Sequence, residues 1–522
     1  MKTKILTAGA EDIALAGRII KEGGLVAFPT ETVYGLGANA LDENAVKKIY
    51  AAKGRPCDNP LIVHISKKED FAPLVKEVTP SAEKLIDAFF PAPLTIILEK
   101  SEIINDTVSG GLNTVAVRMP TNEIARAVID AAGCPVAAPS ANTSGLPSPT
   151  KAKYVIDDMN GKIDAIIDGG DCEYGVESTV ITLAYDVPTI LRPGAVTKEM
   201  LEAVIGYVEV ARAVTEGMAE SEEAQSPGMK YKHYSPRAKL VIVNGTKKQY
   251  EEFVNSRQNA FALCFEEDEV NCKKVCYGRE TDDLSQAREL FDALRKLDEA
   301  GAEKVYARMP HKTGVGMAVY NRLIRAAAFE IIDLTKPFTI GLTGQTGAGK
   351  GYVCERLREL GFTVLDSDLY VKKLYEKGGE ILEKLTAQFG ESVVKNGAVD
   401  RRELARLAFA DRESADRLNR IVHPLVIAAC EADAKGLTVL DAPQLFEAKA
   451  DKKCYKIISV LAPEKLRLER IMKRDGISEE QAGERMNAQL DEDFFKAHSD
   501  FVIVNDGRDI NEQINSILEA IL

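Results

Sequence analysis

Thr339-Ile340-Gly341-Leu342-Thr343-Gly344-Gln345-Thr346-Gly347-Ala348-Gly349-Lys350-Gly351 reads as an apolar strand, a glycine-rich turn and a lysine that opens a helix. Gly344, Gly349 and Lys350 have the spacing of a phosphate-binding loop, in which consecutive backbone N–H groups face one phosphate. Glycine suits such a turn because side chains would block the approach and the backbone needs positive φ. Val353, Leu357 and Leu360 then repeat at helical spacing, and Gly361 ends the helix. Thr363-Val364-Leu365 reads as a second strand running into Asp366-Ser367-Asp368. Strand, loop, helix and strand predict an α/β domain with a parallel sheet from residue 337 to 522. Where a serine or threonine would place a hydroxyl on Mg²⁺, the chain has Gly351.

The loop begins some 340 residues into a 522-residue chain, so about three domains are expected. A net charge of −13 excludes a general nucleic-acid coat but not a local basic pocket. No stretch is apolar enough to span a membrane, and the N-terminus does not read as a signal peptide. The nine cysteines are scattered without a C-x2-C pair, as expected for reduced thiols in a cytoplasmic protein.

Residues 1–208 alternate apolar strands with polar turns. Pro29-Thr30-Glu31-Thr32, Lys53-Gly54-Arg55-Pro56, Arg118, Pro139-Ser140-Ala141-Asn142, Glu177-Ser178-Thr179 and Arg192-Pro193-Gly194 all lie at strand ends or turns. Such a pattern marks a cleft on an α/β sheet. Taken alone, Lys53 and Arg55 read equally as an anion site or as a surface pair. The balance of Lys, Arg, Ser and Thr suggests binding of a nucleotide and a small acid. Residues 209–237 read as a linker, Glu- and Ala-rich and then Ser226-Pro227-Gly228 to Ser235-Pro236. Its Lys, Tyr and His suit either a stiff connector or a segment that touches a base or phosphate. Residues 238–335 alternate strands and helices as a small α/β sandwich, with a last helix expected from Val315 to Ile332.

In this order the first motifs resemble the YrdC-type family of threonylcarbamoyl-AMP synthases, and the linker and middle domain resemble that family's long form. The resemblance implies ATP, L-threonine and bicarbonate as substrates, with tRNA reached indirectly through transfer proteins. It implies that Lys53 and Arg55 hold the triphosphate, with Asn59, Thr114, Ser140, Asn142, Ser148, Arg192 and the linker's Ser226 around the nucleotide. Thr32, His64, Arg118 and Ser178 are implied around threonine, with Arg118 on its carboxylate. Ala92 and Thr182 depart from the family's usual Gly and Asp. The middle domain is implied to be a cap or regulator without separate chemistry.

The last part resembles dephospho-CoA kinase. Its Asp366-Ser367-Asp368, His423-Pro424, Leu440-Asp441-Ala442-Pro443, Arg470 to Asp475 and Arg485 follow that family's order. The resemblance implies ATP, dephospho-CoA and Mg²⁺. It implies Asp368 as the base or hydroxyl-positioning residue and Lys350 on the transferred phosphoryl group. Gly347, Ala348, Gly349, Gly351 and Tyr352 would line the nucleotide, with Arg474 and Arg485 in a lid. No side chain is assigned as a direct metal ligand; Asp368 and Asp441 are candidates through water. The lid helix reads equally as a solvated charged helix, and His423 as a helix-start or packing residue. Gln444 stands where the family usually has Leu.

The leading reading is therefore a two-enzyme fusion. Two others stay open: a carbamoyl-adenylate-forming maturation enzyme, disfavoured by the lack of zinc-finger cysteine pairs, and a chain in which one module only binds ATP or RNA.

Overall fold

Alternating apolar strands and capped helices build two units, Met1–Val243 with Val254–Ile331, and Asn244–Phe253 with Ile332–Leu522. The computed structural model describes residues 2–214, 234–257 and 259–521. Among the described residues no helix is long and apolar enough to cross a membrane.

In the first unit a mixed sheet of eleven strands among the described residues carries the cleft. At its middle, Ile62–His64 runs parallel to Thr114–Arg118 with His64 opposite Arg118. Thr114–Arg118 pairs antiparallel with Leu94–Glu99, which lies beside Thr179–Thr182. One face packs into a continuous apolar core, and the other carries a smaller cluster of Ile62, Ile97, Ala116, Val180 and Leu191, which explains the near-continuous Val, Ile and Ala in these strands. The helix Glu43–Lys53 starts where the Asp42 carboxylate accepts from the Asn44 and Ala45 N–H groups, and ends at left-handed Gly54. That stop presents Lys53 and Arg55 at one sheet end.

The linker begins later than residue 209. Glu209–Val210 pairs parallel with Thr189–Arg192 and extends the first sheet. Two residues carry too short a pattern for sequence reading to detect. Ser226 and most of the proline-bounded stretch lie outside the described residues.

The second sheet of this unit holds Lys273–Cys276, Phe261–Cys264, Lys304–Arg308 and Lys239–Asn244 as parallel neighbours. The helix expected over 315–332 is shorter, Gly316–Ala326. Ala328 and Phe329 take positive φ of 48° and 65°, which reverses the chain into the strand Ile331–Asp333. The run of alanines there hides the stop.

Among the described residues of the second unit, five parallel strands lie in the order Thr363–Asp366, Thr438–Asp441, Phe338–Gly344, Cys454–Leu461 and Phe501–Val504. Phe338–Gly344 is central and fully buried. Thr363–Asp366 and Thr438–Asp441 lie on one side of it and Cys454–Leu461 and Phe501–Val504 on the other. The glycine-rich loop follows directly from its last residue, Gly344, at the carboxyl end of the sheet, where open α/β sheets bind ligands.

Candidate active sites

The first unit carries a cleft lined mainly by polar and cationic side chains. Lys53, Arg55, Arg118 and Arg192 line it, with His64, Ser140, Asn142 and Glu177. Lys53 is buried and donates to the backbone carbonyls of Ser140 and, at 2.6 Å, Asn142. Burial, reinforced by Arg55, pushes the Lys53 ammonium well below its usual pKa. Arg55 donates to the carbonyls of Asn59 at 3.3 Å and Pro60 at 3.0 Å, which fixes its reach. Burial and the nearby Arg118 hold His64 down at about 3, so its imidazole is neutral at pH 7. Arg118 donates to Glu31 at 2.6 Å and Thr32 at 2.9 Å. The other Glu31 oxygen and the Arg118 Nε are buried without a hydrogen-bond partner among the described residues. Polar atoms left in this state suit a ligand that completes them.

Arg192 donates to the Ser178 carbonyl and hydroxyl, both at 3.0 Å. Ser178 Oγ also meets Thr95 Oγ1 at 2.8 Å. Glu177 accepts from Ser148 at 2.6 Å and from Arg322 at 2.9 Å. Burial raises the Glu177 carboxyl, but Arg322, Arg192 and the Ser148 hydroxyl outweigh it and hold it below the usual value. The cleft is thus cationic, with one carboxylate among the described lining residues, and suited to polyanions and a small carboxylate.

In the second unit, Gly344, Gly347 and Gly349 take φ of 138°, 77° and 95°. A Cβ on Gly344 would lie 2.2 Å from the Val460 carbonyl oxygen, and one on Gly349 2.3 Å from Asn505 Nδ2. The Val460 backbone enforces glycine at Gly344, and the positive φ favours it at all three. Gly351 is different: a Cβ there meets nothing within 4 Å among the described residues. Gln489 accepts from the Thr346 N–H at 2.7 Å, Arg467 donates to the Thr346 carbonyl at 3.0 Å, and Asn505 donates to the Ala348 carbonyl at 2.8 Å. These braces satisfy the loop's outer groups. Lys350 forms an ion pair with Asp441. Asp368 sits in the first turn of a helix capped by Asp366; burial, then Asp366, raises its pKa, and Asp441 adds to the rise. It opens onto a pocket walled by Val371, Tyr375, Leu418 and Val422, with polar Asn419, His423, Gln444 and Gln489.

A family model described as "Telomere recombination", whose label joins Sua5, YciO and YrdC, matches residues 18–194. Models for the threonylcarbamoyl-AMP synthase C-terminal domain and for dephospho-CoA kinase match residues 196–328 and 338–511. The chain is 47% identical over 329 residues to the threonylcarbamoyl-AMP synthase of Pyrococcus abyssi, a match spanning 62% of this chain and 96% of that one. It is 36% identical over 191 residues to the dephospho-CoA kinase of Bacillus licheniformis, spanning 35% of this chain and 95% of that protein. The chain belongs to both families, fused end to end. The crystal structure of Pyrococcus abyssi Sua5 complexed with L-threonine superposes with a TM-score of 0.60 at 44% identity, covering 64% of this chain and all of that one.

In the synthase part the fold gathers Lys53, Arg55, His64, Arg118, Ser140, Asn142 and Arg192 around one cleft. Thr32 and Ser178 stand behind Arg118 and Arg192 as hydrogen-bond partners. Ser148 is turned to Glu177, and Asn59 offers a buried amide oxygen without a partner among the described residues. Thr114 is not part of the lining: it opens the strand that Arg118 closes, opposite Glu99. Sequence reasoning gave no role to Glu31 or Glu177, whose charges are placed only by long-range packing.

In the kinase part Arg474 and Arg485 both hold Asp475, at 2.8 and 2.7 Å, rather than the loop. Tyr352 is half exposed and accepts from Asn511 at 3.1 Å. His423 is not at a helix start. It lies inside the helix Arg412–Asp433, beside an interior Pro424, and meets Gln444 at 3.1 Å on the pocket wall. Tertiary packing of the long helix overrides the usual proline stop.

Proposed function

We propose that the first unit makes threonylcarbamoyl-AMP and pyrophosphate from L-threonine, bicarbonate and ATP, and that the second phosphorylates the ribose 3′-hydroxyl of dephospho-CoA. The observation that carries the first reading is the convergence of four cations and a neutral imidazole on one cleft. Arg118, released from part of its bond to Glu31, takes the threonine carboxylate. Threonine's amine condenses with bicarbonate, losing water, to give the carbamate. A carbamate oxygen then attacks the α-phosphorus and the bond to the β-phosphate oxygen breaks. Lys53 and Arg55 stabilise the charge that builds on the departing pyrophosphate. The product passes its threonylcarbamoyl group towards tRNA through transfer proteins.

In the kinase part Asp368 orients the acceptor hydroxyl and takes its proton as the oxygen attacks the γ-phosphorus; ADP leaves. Burial and the neighbouring Asp366 raise its pKa, which makes it a stronger base than a solvated carboxylate. Lys350 moves from Asp441 onto the phosphates, and Arg474 and Arg485 leave Asp475 to close over them. The apolar pocket beside Asp368 receives dephospho-CoA. Among the described residues no group of three His, Cys, Asp or Glu could hold a metal unaided. Asp368 and Asp441 beside a phosphate loop fit Mg²⁺, which takes one or two carboxylates with phosphate oxygens and waters. When bound, Mg²⁺ would neutralise charge on the phosphates. A cytoplasmic location is part of this proposal.

The test is a pair of assays on the intact chain. Pyrophosphate release should require both threonine and bicarbonate, and ADP formation should require dephospho-CoA. Pyrophosphate release with carbamoyl phosphate in place of threonine would favour the maturation-enzyme reading.

A further inference from the structure

The sequence reads the middle part of the first unit as a cap without chemistry of its own. Its helix Gly316–Ala326, however, sends Arg322 into the wall behind the cleft. Arg322 is fully buried. Its Nε donates to Glu177 Oε2 at 2.9 Å and its Nη2 to the Glu177 carbonyl at 3.2 Å. Its Nη1 donates to the Pro193 carbonyl at 2.7 Å and to Asn321 Oδ1 at 3.0 Å. One guanidinium therefore grips two segments at once: Glu177-Ser178 and Arg192-Pro193. Those segments are already pressed together, because a Cβ on Gly194 would lie 2.3 Å from the Thr179 nitrogen.

The charge arrangement gives this grip a purpose. Glu177 is the only carboxylate among the described residues that line the cleft. Arg322, Arg192, Lys53 and Tyr234 are the titratable groups around it. With Arg322 and Ser148 holding its two oxygens, the carboxylate is engaged at the back of the wall. Without Arg322 it would be a buried charge short of its partner, and the nearest replacements are the cations of the cleft itself.

We propose that Arg322 is a positioning residue of the synthase reaction: it keeps Glu177 from competing with the nucleotide for Arg192 and Lys53. This rests on the reading of the cleft as an ATP site. It assigns the middle domain a defined task, supplying a counter-charge from behind a site it does not enter.

The signature is a defect in ATP binding that a second substitution reverses. In the full-length chain, Arg322→Met should raise the KM for ATP in threonine-dependent pyrophosphate release by about tenfold. Adding Glu177→Gln removes the competing charge and should return that KM to within about threefold of wild type. A merely structural role predicts the opposite, since the double variant loses one more native contact. Dephospho-CoA phosphorylation by the same chain reports that the preparation is intact. Where Arg322→Met does not fold, Arg322→Lys keeps the charge but not the fork, and should show a smaller rise in KM, again reversed by Glu177→Gln. An ATP KM unchanged in the folded variant, a rise that Glu177→Gln does not reverse, or loss of folding in both variants overturns the proposal. Absence of threonine-dependent pyrophosphate release in wild type would instead defeat the reading of the cleft.

Discussion

Lys350, in the first turn of its helix, is paired with Asp441 at the end of the neighbouring strand. The register places Asp441 opposite Leu342, two residues before the loop. Asp441 also accepts from the Cys354 thiol at 3.3 Å. The lysine that should meet phosphate is therefore masked by a carboxylate, and nucleotide binding must exchange one anion for another. Asp441→Asn should tighten nucleotide binding several-fold by unmasking Lys350. The same change should slow phosphoryl transfer by about tenfold, because Asp441 no longer helps to organise the phosphates. Calorimetry with a non-hydrolysable ATP analogue and a steady-state kinase assay measure the two effects. Weaker binding would show that Asp441 does not compete.

Gly351 carries the second prediction. The open space around it admits a side chain without strain, so Gly351→Ser restores a hydroxyl at no steric cost. The wild-type kinase should be active but need more Mg²⁺ than the serine variant, with similar maximal rates. Titration of Mg²⁺ against dephospho-CoA phosphorylation decides it. An inactive wild type beside an active Gly351→Ser would make the natural module a pseudokinase.

His64 links the synthase site to pH. Its folded-state pKa is lowered to about 3, whereas an unfolded histidine titrates near 6.5. The unfolded chain therefore binds a proton that the native cleft refuses. Stability is fully present above about pH 6.5 and is lost as the pH falls towards 3, by about 2 kcal/mol between pH 7 and 5. His64→Gln removes that dependence, so the melting midpoint of the first unit should fall less between pH 7 and 5 in the variant. Equal falls would mean that His64 is protonated in the fold.

The exposed pairing of Arg474 and Arg485 with Asp475 leads to the fourth prediction. Screened by solvent, it is easily exchanged for phosphate. Arg474→Ala and Arg485→Ala should each lower the turnover of the kinase by about tenfold or more while leaving the thermal midpoint of the second unit unchanged. Wild-type turnover in both would leave the helix a solvated one.

Where geometry is local, the chain shows it in its residue types. Gly344 is glycine because the Val460 backbone leaves no room, and Gly349 because its φ of 95° is left-handed, and the spacing to Lys350 follows from that turn. Lys53-Gly54-Arg55 is legible because a left-handed glycine ends a helix there. What stays hidden is set by distance or by override. Arg322 meets Glu177 across 145 positions, with no periodicity to connect them. His423 is masked by Pro424, whose helix-breaking tendency the packed helix overrules. The short strand Glu209–Val210 exists only because Thr189–Arg192 offers it an edge.

The central claim is that one chain holds two independent ATP-dependent sites. Arg55→Ala and Lys350→Ala, each assayed for both reactions beside wild type, test it most directly. Arg55→Ala should cut threonine-dependent pyrophosphate release by about 10²-fold or more and leave dephospho-CoA phosphorylation within about twofold of wild type. Lys350→Ala should do the reverse. Loss of both activities in either variant, or survival of threonine-dependent pyrophosphate release in Arg55→Ala, would contradict the account.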